Sequence, residues 1–222
     1  MTVTEFAIIG LKSLSPDALE SLRSALAIQD EWHAKKYPHL PSSFPGSICW
    51  QNMDDPNEIL ITARWDSVEA HWDWIKSEDN VKVMGTLSPH ISQESNEDFA
   101  LLHVPGDMFG ESPVASKGET IPLLKSPEIS VHRMVVDGAN REEFTTAIDK
   151  LDKFFSTSAA PHMVRGVWRE DPESEGKQEY VLIAGWENQQ KHEEASNAAP
   201  PGAFTDIKRL GTSSIKHYKQ LL

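Results

Sequence analysis

Two histidines in this chain each stand six residues after a tryptophan: His71 after Trp65, and His192 after Trp186. Imidazole is the side chain that titrates nearest neutrality, so a His beside an indole at the end of a strand suits proton transfer to or from a flat substrate. His71 is the first candidate for such a general acid or base. Its alternative use, as a helix-surface histidine satisfying one neighbouring carbonyl, stays open. His132, in the run Ile129 to Met134, is the second candidate. If Ile129, Val131 and Val135 face the helices, then Ser130, His132 and Met134 face the other sheet surface. Trp50 and Trp65 are the expected walls for a flat ligand, with Phe6, Met134 and His103 as further lining.

Other chemistries find less support. His103 and His217 recur on the last strand of each half, which favours a structural use. His39 and His162 each follow a Pro and read as loop residues. No His/Asp/Glu set has a metal-site spacing such as H-E-x-x-H, and His192, Glu193 and Glu194 are adjacent, so they splay around a helix; no metal is expected. Cys49, the single cysteine, lies in the apolar run Ser47 to Trp50 and reads as a small buried hydrophobe. There is no G-x-S-x-G and no glycine-rich phosphate loop after a strand.

The elements that must position these residues occur twice. Thr4–Leu11 alternates as a strand. Ser15-Pro16-Asp17 starts a helix with the stripe Leu19, Leu22, Leu26 and Trp32, ending before Pro38. Strands at Gly46–Met53 and Glu58–Trp65 flank the turn Asp54 to Asn57, a helix opens at Ser67, a short one spans Val81–Leu87, and Phe99–Val104 closes the set. The order restarts with strand Ile129–Val136, helix Arg141–Phe155 (stripe Phe144, Ile148, Leu151, Phe155), strands Met163–Arg169 and Glu179–Trp186, helix Asn188–Asn197 and strand Thr212–Leu221. The expected domains are therefore residues 1–104 and 127–222, joined by a linker at 105–126. The fold class is α+β: tandem ferredoxin-like βαββαβ repeats whose sheets pack into an α/β barrel.

With 222 residues, each half is long enough for its own core. A net charge of −13 opposes a footprint on nucleic acid or an anionic membrane. The first residues read as a strand and not a signal peptide, and no apolar run is long enough to cross a membrane, so a cytoplasmic location is expected. Such a chain either completes its own barrel as a monomer or pairs again as a homodimer through Trp72 or Trp74.

The run from Trp65 through Ser77 (W-D-S-V-E-A-H-W-D-W-I-K-S), its weaker echo from Trp186, and the strand histidines His103 and His217 resemble the dimeric α/β-barrel superfamily, in particular tandem antibiotic-biosynthesis-monooxygenase-like proteins. The resemblance implies a barrel with an apolar cavity and, in the cofactor-free oxygenases, an Asn four residues before the Trp. Here those positions hold Ile61 and Leu182. Haem-degrading relatives place a His ten residues after the Trp, where this chain has Ile75. The expectation is a cofactor-independent tailoring enzyme of secondary metabolism. It would cyclise, isomerise or eliminate on a small aromatic or polycyclic, polyketide- or terpenoid-like metabolite, with His71 and His132 as acid/base groups. The alternatives are a cofactor-free monooxygenase of phenolic polyketides and a ligand-binding or stress-response barrel without turnover.

Overall fold

A computed structural model describes residues 1–38, 46–92, 99–110, 120–171 and 174–222. His39 and the middle of the 105–126 stretch, at 111–119, lie outside the described residues. The chain divides into two compact units, Met1–Gly106 with Gln220–Leu222, and Asp107–Lys219.

In the first unit the order is β1 (Val3–Gly10), α1 (Pro16–Lys36), β2 (Ser47–Asn52), β3 (Glu58–Trp65), α2 (Val68–Ile75), α3 (Glu78–Leu87) and β4 (Phe99–Pro105). Its antiparallel sheet runs β4-β1-β3-β2. The second unit repeats this with β5 (Glu128–Asp137), α4 (Arg141–Ser158), β6 (Val164–Trp168), β7 (Lys177–Trp186), α5 (Gln189–Asn197), α6 (Ala203–Leu210) and β8 (Gly211–Gln220), in the order β8-β5-β7-β6. Each unit is thus the ferredoxin-like layer expected from the sequence. Helix α6 was not expected; Phe204, Ile207 and Leu210, at three-residue spacing after Pro200-Pro201-Gly202, were its unread signal.

Local chemistry starts the helices where the sequence places them. Ser15, Ser67, Ser77 and Asn188 each accept a hydrogen bond from the backbone N–H three residues on, meeting one of the donors a helix start leaves free. Ser15→Ala is expected to lower stability by about 1 kcal/mol; a urea midpoint unmoved by the change would show that Pro16 alone sets this helix start.

One face of each sheet packs under its helices. In the first unit Val3, Ala7, Ile9, Ile61 and Trp65 form a core with Leu22 and Leu26 of α1 and Trp74 of α2. In the second, Met134, Val136, Leu182 and Trp186 pack with Phe144, Ile148, Leu151 and Phe155, the full stripe read from the sequence of α4. The α1 stripe needs correction. Leu19 and Trp32 are only partly buried, while the inward positions include Gln29 and His33, four residues apart and both buried. The other sheet face is buried too, carrying Phe6, Ile8, Trp50 and Leu60 in the first unit and Ile129 and Val131 in the second.

That double burial overturns the orientation expected for β5. His132 and Met134 lie on the helix face: His132 packs on Phe155 with ring centroids 5.5 Å apart, and Met134 belongs to the α4 core. Apolar residues on both faces make alternation uninformative. Arg133, which interrupts the pattern, sits on the non-helix face and pairs with Glu179. Trp74 is also corrected, being buried at 3% exposure, whereas Trp72 is 43% exposed.

Candidate active site

Strand register makes the two units comparable residue by residue. Val3 lies opposite Trp65 and Glu128 opposite Trp186. Glu5 therefore corresponds to Ser130, and Ala7 to His132. Glu5 lies opposite His103 as Ser130 lies opposite His217.

In the first unit these positions build a continuous chain of proton-bearing groups on the helix face. Trp65 Nε1–H donates to Glu5 Oε2 at 2.8 Å. His71 Nε2 lies 3.3 Å from the same oxygen, and His71 Nδ1 lies 2.6 Å from His103 Nε2. The indole of Trp65 stacks on the His71 ring, 4.6 Å between centroids and 19° between planes, which fixes the imidazole where β1 and β4 can reach both its nitrogens. Glu5, His71 and His103 are 6%, 2% and 0% exposed.

Burial disfavours a carboxylate, and it pushes the Glu5 pKa up to about 8 against the opposing hydrogen bond from Trp65. A carboxyl group poised near neutrality and bonded to an imidazole can both give and take a proton at working pH. Two proton arrangements fit the geometry. In one, Glu5 O–H donates to His71 Nε2 and His71 Nδ1–H donates to His103 Nε2. In the other, His103 Nε2–H donates to His71 Nδ1 and His71 Nε2–H donates to Glu5.

The second unit keeps the scaffold and loses the acid. Trp186 Nε1–H donates to Ser130 Oγ at 2.9 Å, which also lies 3.2 Å from His132 Nε2. His192 Nδ1 lies 2.7 Å from His217 Nε2, matching the His71–His103 pair. Burial holds His132 down at about 3 and His192 at about 4, helped by neighbouring histidines, so both are neutral at pH 7.

Of the residues selected from sequence, His71, His103 and Trp65 come together on the helix face. Phe6 and Trp50 lie on the opposite face of the same sheet, where Trp50 Nε1–H donates to Thr62 Oγ1 at 3.1 Å. His132 and Met134 belong to the second unit, and His132 is not the counterpart of His71. Glu5 was missed, although an acid inside the apolar run Val3 to Gly10 is itself a signal, since a buried carboxyl group demands partners. His192 was read as the repeat of His71 after Trp186 and, with Glu193 and Glu194, set aside as a metal ligand.

The set does not suit a metal or a haem iron. Glu5 and His103 address opposite nitrogens of His71, so the three donors share no centre. Among the described residues, no three His, Cys, Asp or Glu side chains are grouped to hold an ion. His192 likewise spends both nitrogens, on His217 and Ser196. His33, whose nitrogens lack hydrogen-bond partners, is enclosed by the rings of Trp32, Tyr37 and Trp65.

Comparison with known proteins bears on the fold. The chain is similar over its whole length to the crystal structure of an anthrone oxidase-like protein (14% identity, 92% of that chain covered, TM-score 0.63). It is similar to a candidate monooxygenase from Fusobacterium nucleatum subsp. nucleatum (10%, 93%, 0.61) and to a haem-binding protein from Thermus thermophilus (10%, 92%, 0.55), again across 100% of this chain. At 10–14% identity these likenesses show the fold alone, two α+β units of the ferredoxin-like kind. One polypeptide carries both ferredoxin-like units, the arrangement of the tandem antibiotic-biosynthesis-monooxygenase-like proteins that its sequence resembles. By sequence it is 20% identical to Protein SchA of Streptomyces halstedii over 117 residues, which is 53% of this chain and 30% of that protein. The match thus spans under a third of that relative's length. No family model matches. No helix among the described residues is long and apolar enough to cross a membrane.

Proposed function

We propose that the chain is a cofactor-independent tailoring enzyme of small aromatic metabolites. Its chemical step is proton abstraction by Glu5, relayed through His71 to His103. The observation that carries this reading is the buried carboxyl group of Glu5, held near pH 8 and hydrogen-bonded into a chain of two imidazoles. A phenol or an anthrone-type C–H is the fitting substrate, because its proton is acidic enough for a base of that strength. The carbanion or phenolate formed then cyclises, isomerises or eliminates; reaction with dioxygen is the alternative fate, in keeping with the anthrone oxidase-like and monooxygenase neighbours.

The test is turnover of a panel of anthrones and phenols, with dioxygen uptake followed in parallel. The rate is expected to rise with pH to a plateau above about 8, as Glu5 ionises. Glu5→Gln and His71→Phe are each expected to lose about 10²-fold or more. Uptake of dioxygen selects the oxygenase outcome.

Full burial of Glu5, His71 and His103 favours a second reading, a barrel that carries a ligand or none and performs no chemistry, its polar chain serving only the core. Wild-type turnover unaffected by either substitution would leave that reading standing in place of the first.

A further inference from the structure

We infer that Trp65 is a one-electron relay, which takes up an oxidising equivalent from the surface through Trp32 and holds it as a neutral indolyl radical by passing its N–H proton to Glu5.

Three observations on the first unit meet at this indole. Its N–H is bonded to a carboxyl group within a proton chain, Glu5 to His71 to His103. Oxidisable rings adjoin it: Trp32 at 5.8 Å and Trp74 at 6.4 Å between centroids, with Trp32 and Trp74 themselves 5.3 Å apart. Trp32 is partly exposed on α1, so the cluster reaches solvent. The Lys36 ammonium sits 5.8 Å from the Trp32 ring centroid, where its charge disfavours a cation on Trp32 and drives the electron vacancy inward.

The step balances. A one-electron oxidant of the superoxide or peroxyl class removes an electron from Trp32, and Trp32 takes one from Trp65. The Trp65 Nε1 proton moves to Glu5 Oε2 as the proton on Oε2 passes to His71 Nε2, and the His71 Nδ1 proton passes to His103 Nε2. The products are the reduced oxidant, a neutral radical on Trp65 and a protonated His103.

The second unit is a built-in control. Trp186 occupies the same place, but its N–H donates to Ser130, a hydroxyl that can take that proton only by giving its own to His132, a ring that burial keeps neutral. Its packed neighbour is Phe155, at 5.9 Å, whose ring is much harder to oxidise than an indole. The oxidisable cluster and the carboxyl group that opens the proton chain therefore occur together in one unit, and neither surrounds the equivalent Trp in the other. Ordinary aromatic core packing does not require that coincidence.

The experiment needs no substrate, so its outcome is separable from that of the turnover assay. The whole chain is photo-oxidised with a ruthenium tris-bipyridine sensitiser and an electron-accepting quencher, and neutral indolyl radical is distinguished from radical cation by transient absorption. Trp65→Phe and Glu5→Gln are each expected to cut the yield of neutral radical severalfold, and Trp32→Phe to slow its appearance. Trp186→Phe should leave both the yield and the rate unchanged. Equal loss in Trp186→Phe, or an undiminished neutral signal in Glu5→Gln, overturns the assignment. Should Trp65→Phe not fold, as judged by near-ultraviolet circular dichroism, the comparison of Glu5→Gln with Trp186→Phe decides alone.

Discussion

Glu5→Gln is expected to make the protein more stable at pH 9 than the parent, while abolishing the pH dependence that Glu5 imposes. The group's pKa is raised from 4.5 to about 8 on folding. The folded state therefore holds the proton more tightly than the unfolded chain. The stabilisation is complete below pH 4.5 and is lost progressively as pH rises through 8. A displacement of that size corresponds to a ceiling of about 5 kcal/mol between the two limits, at 1.36 kcal/mol per unit. Gln keeps at that position an oxygen that accepts from the Trp65 N–H and, in the arrangement where His71 carries its proton on Nε2, from His71 as well, and it has no charge to desolvate. The measurement is urea unfolding by Trp fluorescence at pH 5, 7 and 9. Parent and variant curves that stay parallel across this range would show that Glu5 is not the group that titrates. The same substitution should silence turnover, so a gain in stability and a loss of activity are expected from one atom pair.

The opposite sign is expected at low pH, from the second unit. His132 and His192 have folded pKa values lowered from 6.5 to about 3 and about 4. Their contribution to stability is whole above pH 6.5 and is lost as pH falls toward those values, because the unfolded chain binds protons that the core refuses. Each shift is equivalent to about 3–5 kcal/mol at most. The two do not simply add, since the rings are 5.2 Å apart and part of each shift is mutual repulsion. The groups around them are Ser130, Phe155, Trp186, Ser196 and His217, with no carboxylate among these to offset a positive charge. His132→Leu is expected to move the acid-unfolding midpoint, read by near-ultraviolet circular dichroism, downward by a measurable fraction of a pH unit. Turnover carried by Glu5 should be unchanged. A midpoint that stays in place would mean that some other group starts the acid transition, His33 of α1 being the next candidate with its pKa lowered to about 4.

These expectations rest on residues that the sequence exposed unequally. The repeat was legible because Trp65/His71 and Trp186/His192 keep one spacing, and the α4 stripe because Phe144, Ile148, Leu151 and Phe155 follow the helical period closely. The facing of β5 was not legible. Its period-2 pattern distinguishes a wet face from a dry one, and both faces of this strand are dry. Gln29 and His33 on α1 escaped for a related reason: polar residues at inward helical positions look like surface when read alone. Glu5 was not legible as a site residue because a single acid in a strand shows no partner locally, and its partner His103 lies across the strand pair. A pairing between residues 98 positions apart is a product of the fold, and no local window contains it.

The chain's last pairing has a consequence for its biosynthesis. Leu221 N–H and Leu222 N–H both donate to the Cys49 carbonyl, and Cys49 N–H donates to the Leu222 carbonyl, so residues 220–222 belong with the first unit. On the ribosome, Cys49 emerges well over a hundred residues before its partner. The nascent first unit must therefore wait, with the β2 backbone at Cys49 lacking these bonds, while the whole of the second unit is made. An open strand edge of this kind invites non-native pairing in the interval. A nascent chain stalled before residue 220 should depend on holding chaperones more than the released protein does, and a first unit excised at Gly106 should aggregate unless the terminal tripeptide is grafted back.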